Sequence, residues 1–190
     1  MINRLCDEAG ELNAAVGCLY CDYRGQKEQT PEVMIGSLLR QFVRGLPEIP
    51  ETIRQAFHAA RARLGGRALE LGKLVELFPA VLGRFKEVFI CVDALDEFIL
   101  EYRPRFLHSL RQIADTSPNA RLFLTARPHI QSELGSRVPP DMGMITIQPS
   151  FSDIETYLVE KLDADSYPMA MDDDLRSQII AKIKRESSKM

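Results

Sequence analysis

Apolar residues fall along this chain in two rhythms. Short continuous runs at Val16–Tyr20, Val88–Val92, Leu122–Thr125 and Met144–Ile147 read as strands. Between them, apolar positions recur every three or four residues, as on one face of a helix. Strands alternating with helices predict an α/β fold with a mainly parallel sheet covered by helices. Thr30 caps a helix whose first position is Pro31, and Ile35, Leu38, Leu39, Phe42 and Val43 repeat at helical spacing. A helical stretch over 51–64 is punctuated by Gly65-Gly66, and a leucine-rich stretch over 69–85 is interrupted by Pro79. Phe106, Leu107, Leu110, Ile113 and Ala114 define another amphipathic helix, closed by Ser117-Pro118-Asn119. Beyond Ile147 only helical patterns follow. Ser152 and Glu155 predict a capping box ahead of Leu158 and Leu162. Asp172, Asp173 and Asp174 open a helix with Leu175, Ile179 and Ile183 on one face and Lys182, Lys184 and Arg185 near its end, as the helix dipole favours.

The chemistry concentrates where one strand stops. Val88-Phe-Ile-Cys-Val-Asp-Ala-Leu-Asp-Glu97 runs five buried-strand residues into three carboxylates, Asp93, Asp96 and Glu97. A strand apolar on both faces ends at the carboxyl edge of a sheet, where α/β folds bind ligands. There Asp93 would hold Mg²⁺ beside nucleotide phosphates, and Asp96 or Glu97 would orient or deprotonate an attacking water. A solvated acidic turn is the plainer alternative. A second strand, Leu122-Phe-Leu-Thr-Ala-Arg-Pro-His129, delivers Thr125 and Arg127, with Pro128 forbidding further ladder. If it neighbours the first, Arg127 shares the edge with Asp93 and can reach a terminal phosphate.

Composition narrows the partners. Apolar residues make up 45% and charged residues 27%, near the globular average, with no apolar run of membrane-spanning length and no cleavable signal pattern, so a cytoplasmic protein is expected. The net charge of -3 and the lack of a basic, aromatic-interleaved stripe argue against nucleic acid. Arg61, Arg63 and Arg67 read as a solvated helix face. Cys6, Cys18, Cys21 and Cys91 read as reduced, and Cys18-x-x-Cys21 lies on a strand, where positions three apart point to opposite faces, with no second ligand pair. His58, His108 and His129 are scattered singly.

Together these elements resemble the NACHT-type domains of signal-transducing (STAND) P-loop NTPases, in particular the nephrocystin-3-like N-terminal domain of many filamentous-fungal proteins with ankyrin or WD40 repeats. Leu19-Tyr-Cys-Asp-Tyr-Arg24, Gln29-Thr-Pro-Glu32 and Leu38-Leu-Arg-Gln-Phe42 look like that family's second strand and helix. Val88–Glu97 looks like its Walker B segment, with small Ala94 after the metal-binding aspartate and acidic residues three and four positions after it. Leu124-Thr-Ala-Arg-Pro128 looks like its sensor strand. The resemblance implies a nucleotide-binding core over 1–150 and the start of a helical arm over 151–190. It also implies Mg²⁺ with ATP or GTP for an intact domain, and NTP hydrolysis as the family's reaction.

One part of the family pattern is missing: G-x-x-x-x-G-K-S/T occurs nowhere in the 190 residues. Gly72-Lys73 fails because Arg67 replaces the first glycine and Leu74 the hydroxyl that binds Mg²⁺. By resemblance, the first strand and phosphate loop would lie upstream of Met1, with Ile2–Glu8 left from the loop's helix. The absent strand would sit between Leu122–Thr125 and Met144–Ile147. The resulting expectation is a truncated NTPase module that binds Mg-ATP or Mg-GTP weakly or not at all, so that it holds no cofactor by itself, and that is a homo-oligomer, aggregation-prone or only marginally stable. An alternative is a non-catalytic interaction module associating with full-length relatives or a signalling partner. A third is a metal-dependent phosphatase or nuclease built on Asp93, Asp96 and Glu97.

Overall fold

Val88, Ile90, Cys91 and Val92 are at most 1% exposed because their strand, β2 (Glu87–Asp93), is the middle one of three. It lies between β1 (Ala14–Tyr20) and β3 (Ala120–Leu124), parallel to both. The computed structural model describes residues 13–62, 68–137, 142–148, 150–164 and 172–187. The expectations placed on Ile2–Glu8, Cys6, Arg63, Arg67 and Gly65-Gly66 lie outside them. The α/β class and the parallel sheet flanked by helices are as expected.

The register levels Gly17 with Ile90 and Ile90 with Leu122. Side chains alternate along a strand, so Leu19, Val88, Ile90, Val92, Leu122 and Leu124 share one face with Gly17. Three helices lie between β1 and β2, namely α1 (Pro31–Arg44), α2 (Glu51–Ala62) and α3 (Leu71–Leu82), and α4 (Arg103–Thr116) lies between β2 and β3. α1 lies on β1 and α4 on β3, while α3 packs against both helices. α1 starts where the Thr30 hydroxyl accepts the Val33 N–H at 3.3 Å, and it buries Met34, Ile35, Leu38, Leu39 and Phe42. The opposite edge of the sheet is finished by a side chain. The amide of Gln41 accepts from the Cys18 N–H at 2.8 Å and donates to the Cys18 carbonyl at 2.9 Å, replacing a neighbouring strand on β1.

Three expectations are corrected. α3 runs through Pro79 without interruption. An interior proline costs about 3 kcal/mol, but Phe78, Val81 and Leu82 around it are 0% exposed. Each such burial contributes roughly 1.5–3 kcal/mol, so packing wins. Met144–Ile147 forms no ladder among the described residues; Met144, Ile145 and Ile147 are 65–85% exposed. Strand propensity needs a partner edge to become a strand, and this segment has none there. The predicted capping box also shifts. The helix after α5 (Gln131–Arg137) is α6 (Phe151–Asp163), and its cap is Ser150 with Asp153, not Ser152 with Glu155. These Ser150 hydrogen bonds hold the Asp153 carboxyl below its usual range.

The chain divides into two compact units, Met1–Met142 and Gly143–Met190. In the second, α6 packs against α7 (Asp173–Ser187), with Lys184 Nζ 2.8 Å from Glu155 Oε2. Asp172 caps α7 by accepting the Leu175 N–H at 2.7 Å. No helix among the described residues is long and apolar enough to cross a membrane.

A Cβ added at Gly17 would meet Phe42 Cζ at 2.5 Å, in a ring only 1% exposed that also packs edge-on to Phe78. Gly17→Ala should therefore destabilise the protein by about 1–3 kcal/mol through overpacking. Gly72→Ala, with nothing within 4 Å of its added methyl, should be neutral or stabilising by about 0.5–1 kcal/mol. Urea unfolding followed by circular dichroism measures both.

Candidate functional site

Because β2 and β3 are parallel, both deliver their carboxyl ends to the same edge. Val92 is level with Leu124, so Thr125 arrives beside Asp93, and Tyr20 is level with Asp93 on the other side. Thr125 extends the ladder: its N–H donates to the Val92 carbonyl and its carbonyl accepts from the Leu95 N–H, both at 2.9 Å. Its hydroxyl accepts from the Ala94 N–H at 3.0 Å and donates to Asp93 Oδ1. Thr125 thus holds Asp93 rather than standing apart from it.

These bonds grip a strained turn. Ala94 has φ 53° and ψ 45°, the left-handed region, which costs a residue with a side chain roughly 1–2 kcal/mol. The strain sends the chain sharply away from the sheet into a single turn of 3-10 helix at Leu95–Glu97. Leu95 is 0% exposed and anchors the turn in the core.

The remaining carboxylates face different partners. Asp96, whose side chain is 6% exposed, accepts the Arg127 N–H at 3.1 Å and lies 3.5 Å from Arg127 Nε. The Arg127 side chain is 73% exposed. Glu97 turns toward the loop after β1: its carboxylate accepts the Tyr23 N–H at 3.2 Å and its carbonyl accepts from Gln26 Nε2 at 2.8 Å. The edge therefore brings Asp93, Thr125, Asp96 and Arg127 together, while Glu97 ties down the β1 loop.

Two buried groups lie close to the acidic turn, and the first of them, Arg103, escaped the sequence reading. Arg103, 5% exposed, opens α4 and donates to the Asp96 and Phe98 carbonyls at 3.0 and 2.7 Å and to Glu133 at 2.9 Å. A cation at a helix N-terminus opposes the macrodipole, and that misplacement was the available signal. The Cys21 thiol is pushed up to about 12, chiefly by burial, with the Arg103 charge pulling it down and Asp93, Asp96 and Glu97 adding to the rise. Such a thiol stays protonated at neutral pH, which suits packing rather than metal or redox chemistry.

As a metal site the edge is spare. Asp93 Oδ1 is taken by Thr125, while Oδ2 meets no protein donor among the described residues. Those residues contain no group of three His, Cys, Asp or Glu able to hold a metal ion, so a self-sufficient metal cage has no support. One carboxylate does fit Mg²⁺, which keeps several waters and takes its other ligands from phosphate. A groove of about 250 Å³ lies elsewhere, between α3 and α4, lined by Leu71, Val75, Arg105 and His108.

The family described as Nephrocystin 3, N-terminal matches residues 1–127, more than half of the chain. No curated protein and no solved structure matches it.

Thr125→Val should leave the Ala94 N–H without its acceptor and destabilise the protein by about 1–3 kcal/mol. Thr125→Ser keeps the hydroxyl and should cost less than about 1 kcal/mol. Equal losses in urea unfolding would show that the hydroxyl holds nothing.

Proposed function

The chain belongs to the nephrocystin 3 N-terminal family, a NACHT-like module, and from that premise we propose that the carboxyl edge of its sheet is the metal-and-water half of a nucleotide site in a signalling switch. In this reading Asp93 receives Mg²⁺, Asp96 orients the attacking water and Arg127 reaches the terminal phosphate. Thr125 fixes Asp93 and offers the nucleotide a polar neighbour. Glu97 serves the site indirectly, through the loop it holds. The observation that carries the proposal is the hydroxyl bridge from Thr125 to Asp93, with the Asp96–Arg127 pair one turn away. The bound group would supply phosphate oxygens and a polarised water; this chain's residues position them.

Affinity follows from the charges. Most attraction for β- and γ-phosphates comes from a nest of backbone amides and a lysine, and no G-x-x-x-x-G-K-S/T occurs in these 190 residues. Asp93 and Asp96 stand at the edge with Arg127 as the cation there, so the edge repels triphosphate unless Mg²⁺ intervenes. We propose weak binding of Mg-ATP or Mg-GTP by this chain, with a dissociation constant on the order of 1 mM.

A second reading, an interaction module for full-length relatives or a signalling partner, draws support from the exposed apolar run at Met144, Ile145 and Ile147.

At about 10 mM Mg-nucleotide, a 1 mM ligand should stabilise the chain by about 1.4 kcal/mol, and Asp93→Asn, which keeps an acceptor for Thr125, should remove most of that gain. Thermal and urea unfolding with and without nucleotide measure it. An equal gain in the variant, or low-micromolar binding in calorimetry, would overturn the proposal.

A further inference from the structure

Two loops build the carboxyl edge. The first, 93–98, leaves β2 through a left-handed alanine; the second, 125–130, leaves β3 through Pro128. Where they leave the sheet, Thr125 joins them through the Ala94 and Leu95 amides and Asp93 Oδ1. Farther out, Asp96 meets the Arg127 N–H and side chain, but that side chain is 73% exposed, and an ion pair so placed contributes roughly 0–1 kcal/mol. A stronger connection lies underneath.

Arg103 reaches that buried side from the first turn of α4. Its Nη2 donates to the carbonyls of Asp96 and Phe98, and its Nη1 meets Glu133 Oε2 at 2.9 Å. Glu133 belongs to α5, the helix that continues the second loop directly after Ile130. The Arg103 and Glu133 side chains are 6% and 20% exposed, so water screens this pair little. One planar fork therefore spans the first loop, through two main-chain oxygens, and the element that carries the second. The charge stands at a helix N-terminus, where propensity disfavours it, so local preference does not account for it. The rings of Phe98 and Phe106 stack 4.8 Å apart and are at most 1% exposed.

We infer that Arg103 and Glu133 form a buried latch that sets the distance between the far ends of the two loops, beyond the Thr125 bonds, and so positions Asp96 against Arg127. Arg103 is a positioning residue: it acts through the Asp96 backbone. The latch rests on the proposed nucleotide site only for its purpose; its mechanics stand on the hydrogen bonds alone. Lysine cannot replace it, because a single ammonium lacks the two-armed planar geometry that serves two carbonyls and a carboxylate at once.

The test is native-state amide exchange on the full 190-residue chain, comparing wild type with Arg103→Lys and Glu133→Gln. The reporter is the Arg127 N–H, protected by Asp96 Oδ1; the Ile90 and Val92 amides in the central strand serve as the reference for global stability. Arg103→Lys should speed Arg127 exchange at least tenfold relative to that reference. Glu133→Gln keeps a hydrogen-bond acceptor and should speed it less. A purely structural arginine would change all three amides together, and that result would overturn the latch, as would unchanged Arg127 exchange. Should Arg103→Lys fail to fold, Glu133→Ala gives the same comparison from the partner side. Mg-ATP stabilisation measured on the same proteins separates the two proposals. If wild type gains none while Arg127 exchange still responds to Arg103→Lys, the latch holds and the nucleotide reading fails.

Discussion

The parallel pairing of β2 with β3 is the constraint on which the site depends. It places Thr125 beside Asp93, and that adjacency lets one hydroxyl bridge the Asp93 carboxylate and the Ala94 amide. A one-residue slip would reverse the facing of every side chain on β3 and take Leu122 and Leu124 out of the core. The register is therefore specified by the same burial that stabilises the sheet. The site costs no additional ordering of the strands; it sits at the end of a ladder that the core already demands.

Much of this was legible in the chain's apolar rhythm, and for definite reasons. β2 was readable because a strand buried on both faces tolerates no polar residue, so its end at Asp93 is marked by an abrupt change of residue type. The start of α1 was readable because Thr30 and Pro31 signal locally. What escaped were effects of tertiary contact. Nothing in the residues next to Pro79 says that Phe78, Val81 and Leu82 will hold the helix through it. Met144–Ile147 has the apolar, β-branched run of a strand, but such a run does not supply a neighbour. The shift of the capping box from Ser152 to Ser150 reflects two competing serines, decided by where the helix starts.

The candidate site divides along the same line. Asp93, Asp96, Thr125 and Arg127 follow from residue type at strand ends, and the fold brings them to one edge. The division of labour among the carboxylates was invisible, because it depends on which loop each one faces: Asp96 turns to Arg127, and Glu97 turns to the Tyr23 amide. Arg103 was missed because an arginine in a helix's first turn reads as a surface residue until its three acceptors are seen. Its charge and the buried Cys21 thiol both lie close enough to the acidic turn for Arg103, Asp93, Asp96 and Glu97 to act on that thiol.

The central claim is that this edge receives a phosphate-bound metal. The most direct measurement is an amide map of the chain by nuclear magnetic resonance, titrated with millimolar Mg-ATP and then with trace Mn²⁺ in the presence of ATP. The account predicts fast-exchange shifts and paramagnetic broadening centred on Asp93–Leu95 and Thr125–Arg127, with the central strand amides unaffected. Broadening centred instead on Asp172–Asp174, or spread over the surface carboxylates without a focus at the sheet edge, would contradict it.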